Sequence, residues 1–342
     1  MEVEFRESGI YLSEIDLWLD NTEPCAATPG SLNWISHGHS DHAWGYHAKV
    51  LGTSTTLRFY RMRLWLPQAP SEPAQPEPEM YPLEFGESME WNGALLTAFP
   101  ASHILGAAQL LIEFRAERLV YTGDIKLRTP LCGDTTEPIA CDRLIIESTF
   151  GLPIYKLLDR ETAIDKILRF AHACLGDGIT PAFIGYALGR GQEIVHVLCQ
   201  AGIPTAVHGA IAKFIPVYQE HGYTFPGWVP HEARATAGKA LVVVPSHGSA
   251  LEASGKNIRL AYVSGWAALD NARTRSGAEE LIPYSDHADF NELLALVNHS
   301  GARHIDVVHG YTEPFARVLR RRGFSAAAPQ RAGDRTNIEA EG

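Results

Sequence analysis

Over the first 150 residues the apolar positions come in short runs cut by Gly, Pro and Asn, a pattern that predicts strands joined by tight turns. Runs at 17–19, 32–36, 94–99, 109–114, 118–122 and 143–147 read as strands. The proline-rich stretch 67–82 cannot build a packed element and is expected to be a solvated loop or linker. From about residue 160 the period changes. Spacings of three and four over 161–174, 192–200 and 211–221 predict helices, and they alternate with strands at 182–186, 205–208, 240–244 and 260–263. Such alternation predicts a small α/β unit around a parallel sheet. A helix at 291–297, a strand at 304–308 and a helix at 312–322 close the pattern. The tail, 326–342, is expected to fray. No internal repeat is visible.

Composition narrows the class. With 342 residues, 45% hydrophobic and 20% charged, the chain is globular and long enough for one large or two modest domains. No apolar run is long enough to span a membrane, and the start lacks a signal peptide's basic and apolar segments, so a cytoplasmic location without membrane association is expected. Lys plus Arg number 29 against 40 Asp plus Glu, a net charge of −11, so nucleic acid would have to be held by a local basic groove or by bound cations. The five cysteines are scattered, with no C-x-x-C pair, and read as small buried hydrophobes rather than a disulfide framework. The fifteen histidines, by contrast, are patterned.

Directly after the apolar run at 32–35 stands Ser36-His37-Gly38-His39-Ser40-Asp41-His42. A strand delivering the chain to such a turn brings four imidazole or carboxylate ligands together, a donor set that suits zinc and also manganese. Four further candidates each end a predicted strand: Asp20, His103, Asp124 and His309. Taken singly these are ordinary capping or buried polar residues; in order behind the histidine cluster they become candidate ligands.

In this order the motifs resemble those of the metallo-β-lactamase superfamily, and within it the β-CASP nucleases. Asp20 matches the first motif, His37, His39, Asp41 and His42 the second, His103 the third and Asp124 the fourth. Glu147 in Ile-Glu-Ser-Thr-Phe-Gly, His287 in Tyr-Ser-Asp-His-Ala-Asp and His309 match the three further β-CASP motifs. Residues 187–193 resemble a family helper motif, and the opening 9–20 is similar to the bacterial ligase-associated DNA exonucleases. His309 is also what the RNA-processing members carry, and the Artemis-type enzymes lack it.

The resemblance implies an αββα sandwich built from residues 1–155 and 270–342, with a small α/β cap, 156–269, inserted between. It implies two divalent ions, zinc or else manganese, about 3.5–4 Å apart. His37, His39 and His103 would hold one, Asp41, His42 and His309 the other, and Asp124 would bridge them. Asp20 would orient a ligand histidine, and Glu147 would do so for His42 or His309. His287 is a candidate general acid, or else the cap of the following helix. Gly189 and Arg190 stand before a helix and read either as a phosphate contact or as a simple turn. Ser246, Ser249 and Ser264 are weaker candidates for substrate contact. Arg58, Arg61 and Arg63 read as a solvated face, although the interleaved Phe59 and Tyr60 also permit a nucleic-acid contact.

The expected function is a metal-dependent DNA exonuclease of repair, acting 5′→3′ on single strands, with an ATP-dependent DNA ligase and a helicase as functional partners. Three alternatives stay open: an RNA-processing nuclease of the same fold, a small-molecule metallo-hydrolase, and an inactive scaffold.

Overall fold

The computed structural model describes residues 1–23, 30–45, 47–64, 77–231, 238–247 and 257–329. Six strands make the first sheet in chain order: β1 (Glu4–Arg6), β2 (Gly9–Leu12), β3 (Leu17–Leu19), β4 (Leu32–Trp34), β5 (Lys49–Gly52) and β6 (Glu79–Pro82). β1 to β3 pair antiparallel and β3 to β6 parallel. Helix α1 (Ser54–Leu64) covers its outer face, burying Leu57 and Tyr60 against Val50.

A second sheet begins with β7 (Ser88–Trp91), β8 (Ala94–Pro100), β9 (Ala108–Phe114), β10 (Glu117–Tyr121) and β11 (Arg143–Ser148). The chain then leaves it. Helix α2 (Arg160–Gly176) starts at Asp159, whose side chain accepts from Thr162 N at 2.7 Å. A third, wholly parallel sheet follows: β12 (Thr180–Ile184), β13 (Thr205–Val207), β14 (Trp228–Pro230), β15 (Ala240–Val243), β16 (Ile258–Val263) and β17 (Glu280–Ile282), in the order β14-β13-β15-β12-β16-β17. Helices α3 (Arg190–Gln200), α4 (Gly209–Ala212), α5 (Ile215–Glu220) and α6 (Ala272–Ser276) connect these strands. After α7 (Phe290–Ser300) the chain returns to the second sheet with β18 (His304–Gly310), which lies parallel beside β11, then α8 (Thr312–Arg321) and β19 (Ala326–Ala327).

The first two sheets face each other over one apolar layer. Ile10, Leu17, Leu19 and Trp34 of the first meet Leu96, Leu110, Ile112, Ile145 and Val308 of the second. Phe315, Ala316 and Leu319 of α8 are buried on the other side. This is the αββα sandwich, with a parallel α/β unit set into it. β17 pairs with β16 although it lies beyond residue 269, where the inserted unit was expected to end.

Several elements differ from the pattern reading. The stretch expected as one helix over 211–221 is two, α4 and α5, because Pro216 in the first turn of α5 has no N–H to continue the ladder. Glu79–Pro82, expected in a loop, forms the edge strand β6, a position that tolerates its terminal proline; residues 67–76 lie outside the described residues. The short strands β1, β2, β5 and β7 carry too few residues for a period to show. Among the described residues no helix is long and apolar enough to cross a membrane.

Candidate metal centre

Asp20, His37, His103 and Asp124 follow the ends of β3, β4, β8 and β10, so one end of the sandwich collects them. Two backbone features aim the remaining side chains. Asp20 has φ of +47°, which turns its carboxylate back toward β4. His309 has φ of +53° and sits in a bulge, because Glu147 pairs with Val308 and Ser148 with Gly310, leaving His309 as the extra residue. Gly310 follows at φ +74°, where a Cβ would lie 2.5 Å from Thr149 Cα; only glycine fits there.

The hydrogen bonds decide which nitrogen of each imidazole faces inward. His42 Nδ1 donates to Asp20 Oδ2 at 2.7 Å. Ser36 Oγ gives its proton to the same carboxylate at 2.6 Å, so it accepts from His37 Nδ1 at 3.0 Å. His39 Nε2 donates to the Leu188 carbonyl at 3.0 Å and His103 Nδ1 to the Asp286 carbonyl at 3.2 Å. Each ring therefore spends its N–H on an outer oxygen and turns a lone pair inward. The inward nitrogens of His37, His42 and His103 stand 3.6, 3.5 and 3.7 Å from Asp124 Oδ2. His37 Nε2 is buried with no hydrogen-bond partner, and His39 Nδ1 faces His103 Nε2 lone pair to lone pair at 3.0 Å. Such an arrangement is unfavourable unless a cation sits among the lone pairs, and nitrogen and carboxylate donors suit a divalent ion.

His37, His39, His103 and Asp124 form one group whose ligand atoms lie within 4.8 Å of one another, and His37, Asp41 and His42 form another. The His309 ring stands beside that of His42, with centroids 5.0 Å apart. A third group joins Asp124, Glu147 and His287.

Electrostatics of the protein groups alone follow from the crowding. Burial, then the neighbouring imidazoles, hold His37 and His103 well below the ordinary histidine value. Burial also opposes charge on His42, but Asp124 and Asp20 overcome it and raise the ring to about 10. Burial lifts Asp124 to about 7 against the pull of His42.

Glu147 was expected to orient His42 or His309. It is instead the partner of His287, whose Nδ1 lies 3.0 Å from both carboxylate oxygens, while Ile125 N donates to Oε1 at 2.7 Å. Burial disfavours a charged His287, yet Glu147 and Asp124 outweigh it and raise the ring to about 9. The alternative of His287 as a helix cap falls away, because Asp289 caps α7 in a reciprocal box with Glu292.

The substrate contacts fare differently. Arg190 is 1% exposed, ion-paired with Glu193 and Asp286, and stacked on Tyr284 at 4.2 Å. Its charge is consumed inside the protein, so neither it nor Gly189, whose N–H goes to Gln192 Oε1 at 2.8 Å, is available to a phosphate. Ser264 is buried and accepts from Trp266 N at 3.3 Å, capping a short 3₁₀ turn. Ser246 is exposed, and Ser249 lies outside the described residues. Phe59 and Tyr60 are fully buried in α1, Arg58 and Arg61 pair with Glu220 and Glu77, and Arg63 lies over the Phe214 ring at 5.7 Å, so among the described residues the run presents no exposed alternation of aromatic and basic side chains. Ser36, Tyr121, whose hydroxyl donates to Asp20 Oδ2 at 2.7 Å, and the Leu188 and Asp286 carbonyls were missed. Ser36 abuts the histidine motif and could have been read; a backbone carbonyl leaves no trace in sequence.

Residues 277–329 match a family described as a Zn-dependent metallo-hydrolase RNA specificity domain. The chain is 32% identical over 326 residues, 94% of its length, to a probable DNA ligase of Opitutus terrae. It is 35% identical over 119 residues, 34% of its length, to cleavage and polyadenylation specificity factor subunit 3 of Dictyostelium discoideum. The chain belongs to the β-CASP family of the metallo-β-lactamase superfamily. It spans 30% of the length of the first of these two relatives and 15% of the second. The fold matches a protein of unknown function from Enterococcus faecalis V583 with a TM-score of 0.61 at 13% identity, covering 88% of this chain and 80% of that one.

Proposed function

We propose that the protein is a metal-dependent nuclease that hydrolyses phosphodiester bonds, most specifically a DNA exonuclease working 5′→3′ on single strands. The observation that carries the reading is the convergence of three inward imidazole nitrogens on one oxygen of Asp124, beside a buried His37 nitrogen with no hydrogen-bond partner. In this reading His37, His39, His103 and Asp124 would hold one zinc ion, and Asp41, His42 and His309, again with Asp124, would hold a second. Ions bound there would supply an activated water at neutral pH and charge neutralisation at the phosphate. Asp20 keeps His42 in the tautomer that turns Nε2 inward. His287, 22% exposed at its side chain and held cationic by Glu147, gives a proton to the leaving oxygen.

The DNA reading is favoured because the relative matched along nearly the whole chain is named a probable DNA ligase. A functional association with an ATP-dependent ligase and a helicase, in the cytoplasm, goes with it. The RNA reading is kept as second because the matched family is described by RNA specificity and the shorter match is to a polyadenylation factor. The pairing of β17 with β16 supports a cap that runs from 156 to 282 rather than to 269, with the core on either side.

Matched DNA and RNA oligonucleotides, labelled at either end, test the proposal. Single-stranded DNA is expected to shorten from its 5′ end. RNA degraded with DNA left intact overturns the substrate, and loss from the 3′ end overturns the polarity.

A further inference from the structure

The two halves of the histidine cluster are held by different parts of the chain. His42 and His37 are fixed wholly by the sandwich, through Asp20 and Ser36, with Tyr121 bonded to the same carboxylate. His39 and His103 are not. His39 Nε2 donates to the carbonyl of Leu188, the residue leading into α3. The next residue, Gly189, has φ of +93°, and a Cβ there would lie 2.5 Å from Ile104 Cγ2 and 3.2 Å from Asp286 Oδ2. The next, Arg190, is buried and pairs with the carboxylate of Asp286, whose backbone carbonyl holds His103. Its other partner, Glu193, is anchored by Leu131 N at 2.8 Å.

We propose that Leu188, Gly189 and Arg190 form a positioning element, by which the start of α3 sets the half of the cluster containing His39 and His103 and leaves the half around His42 untouched. Three consecutive residues thus reach one ligand directly, the chain neighbour of the other, and the residue whose carbonyl orients that other. The guanidinium suits the task because its planar fork serves two carboxylates in fixed geometry, which a lysine ammonium does not reproduce. Loss of an outer partner lets an imidazole rotate or change tautomer, at a cost of about 10- to 100-fold in metal affinity. The inference rests on the metal-binding reading above.

Cobalt(II) titration of the full chain, followed by visible absorbance, provides the test. The unsubstituted protein is expected to bind in two resolvable steps. Arg190→Lys and Gly189→Ala are each expected to weaken one step by about 10- to 100-fold and leave the other unchanged. Because loss of a buried arginine leaves carboxylates unpaired, Arg190→Met combined with Glu193→Gln removes one ion pair, leaves Asp286 to balance the buried Lys126, and is expected to give the same split. Melting curves run beside the titrations. A lowered melting temperature with both affinities unchanged, or equal weakening of both steps, overturns the positioning role. No binding by the unsubstituted protein overturns the metal reading itself.

Discussion

The Asp20 carboxylate accepts from His42 Nδ1 at 2.7 Å while the residue itself sits in the left-handed region at φ +47°. A carboxylate in that geometry pins one tautomer of His42. Asp20→Asn keeps the backbone, since asparagine also tolerates positive φ, but replaces the anion by a neutral amide. The expected result is a fall in metal affinity of about 10- to 100-fold, together with a lower melting temperature because the amide NH2 group meets the buried donors of Ser36, His42 and Tyr121, read by metal titration and thermal unfolding. Asp20→Ala is expected to add backbone strain of roughly 1–3 kcal/mol and to melt earlier.

Asp124 is the oxygen donor that three histidines share. Asp124→Ala is expected to lower bound metal from about two ions per chain to one or none and to abolish turnover. Elemental analysis of purified protein beside an activity measurement checks both; undiminished metal content would contradict the shared role.

His287 contacts Glu147 and leaves the capping of α7 to Asp289. His287→Gln is therefore expected to keep metal content and melting temperature while lowering turnover by roughly a hundredfold or more. A large drop in stability with rate per folded molecule preserved would assign His287 a structural role instead.

His47 is buried against the Asn21 carbonyl at 2.8 Å, and burial holds its ring below the usual histidine value. It is neutral when folded and gains a proton near pH ~6.5 once unfolded. The stability from keeping it neutral is thus present above about that pH and is lost as the pH falls below it. Denaturant unfolding at neutral and mildly acidic pH is expected to show a shallower acid loss in His47→Gln than in the unsubstituted protein.

Legibility in the sequence followed chain distance. The run His37 to His42 is contiguous, and Asp20, His103 and Asp124 each end a visible apolar run, so the cluster could be read without coordinates. Arg190 could not. An arginine between glycines before a helix looks alike whether it meets a phosphate or a buried carboxylate, and the deciding partner, Asp286, lies 96 residues away. Glu147 was misplaced for a similar reason: its neighbour His287 is 140 residues distant. Of the fold, the strands with strong apolar runs were visible. Edge strands such as β6 were hidden, because half-exposed residues at an edge need no period.

The parallel seam between β11 and β18 also constrains how the chain reaches its native state. Arg143 sits opposite His304, with the whole third sheet between them in sequence. Closing so long a loop costs entropy that grows slowly, about 0.6 kcal/mol for each doubling of length, but non-local pairing of this kind slows folding. If the intervening residues compact first, the free loop is shortened to the flanking turns. Until β18 docks, the second sheet presents β11 as an open edge of buried-type residues, Leu144 to Ile146, exposed to pairing with other chains. The late seam is thus the point at which a nascent or heat-stressed chain is most prone to aggregate.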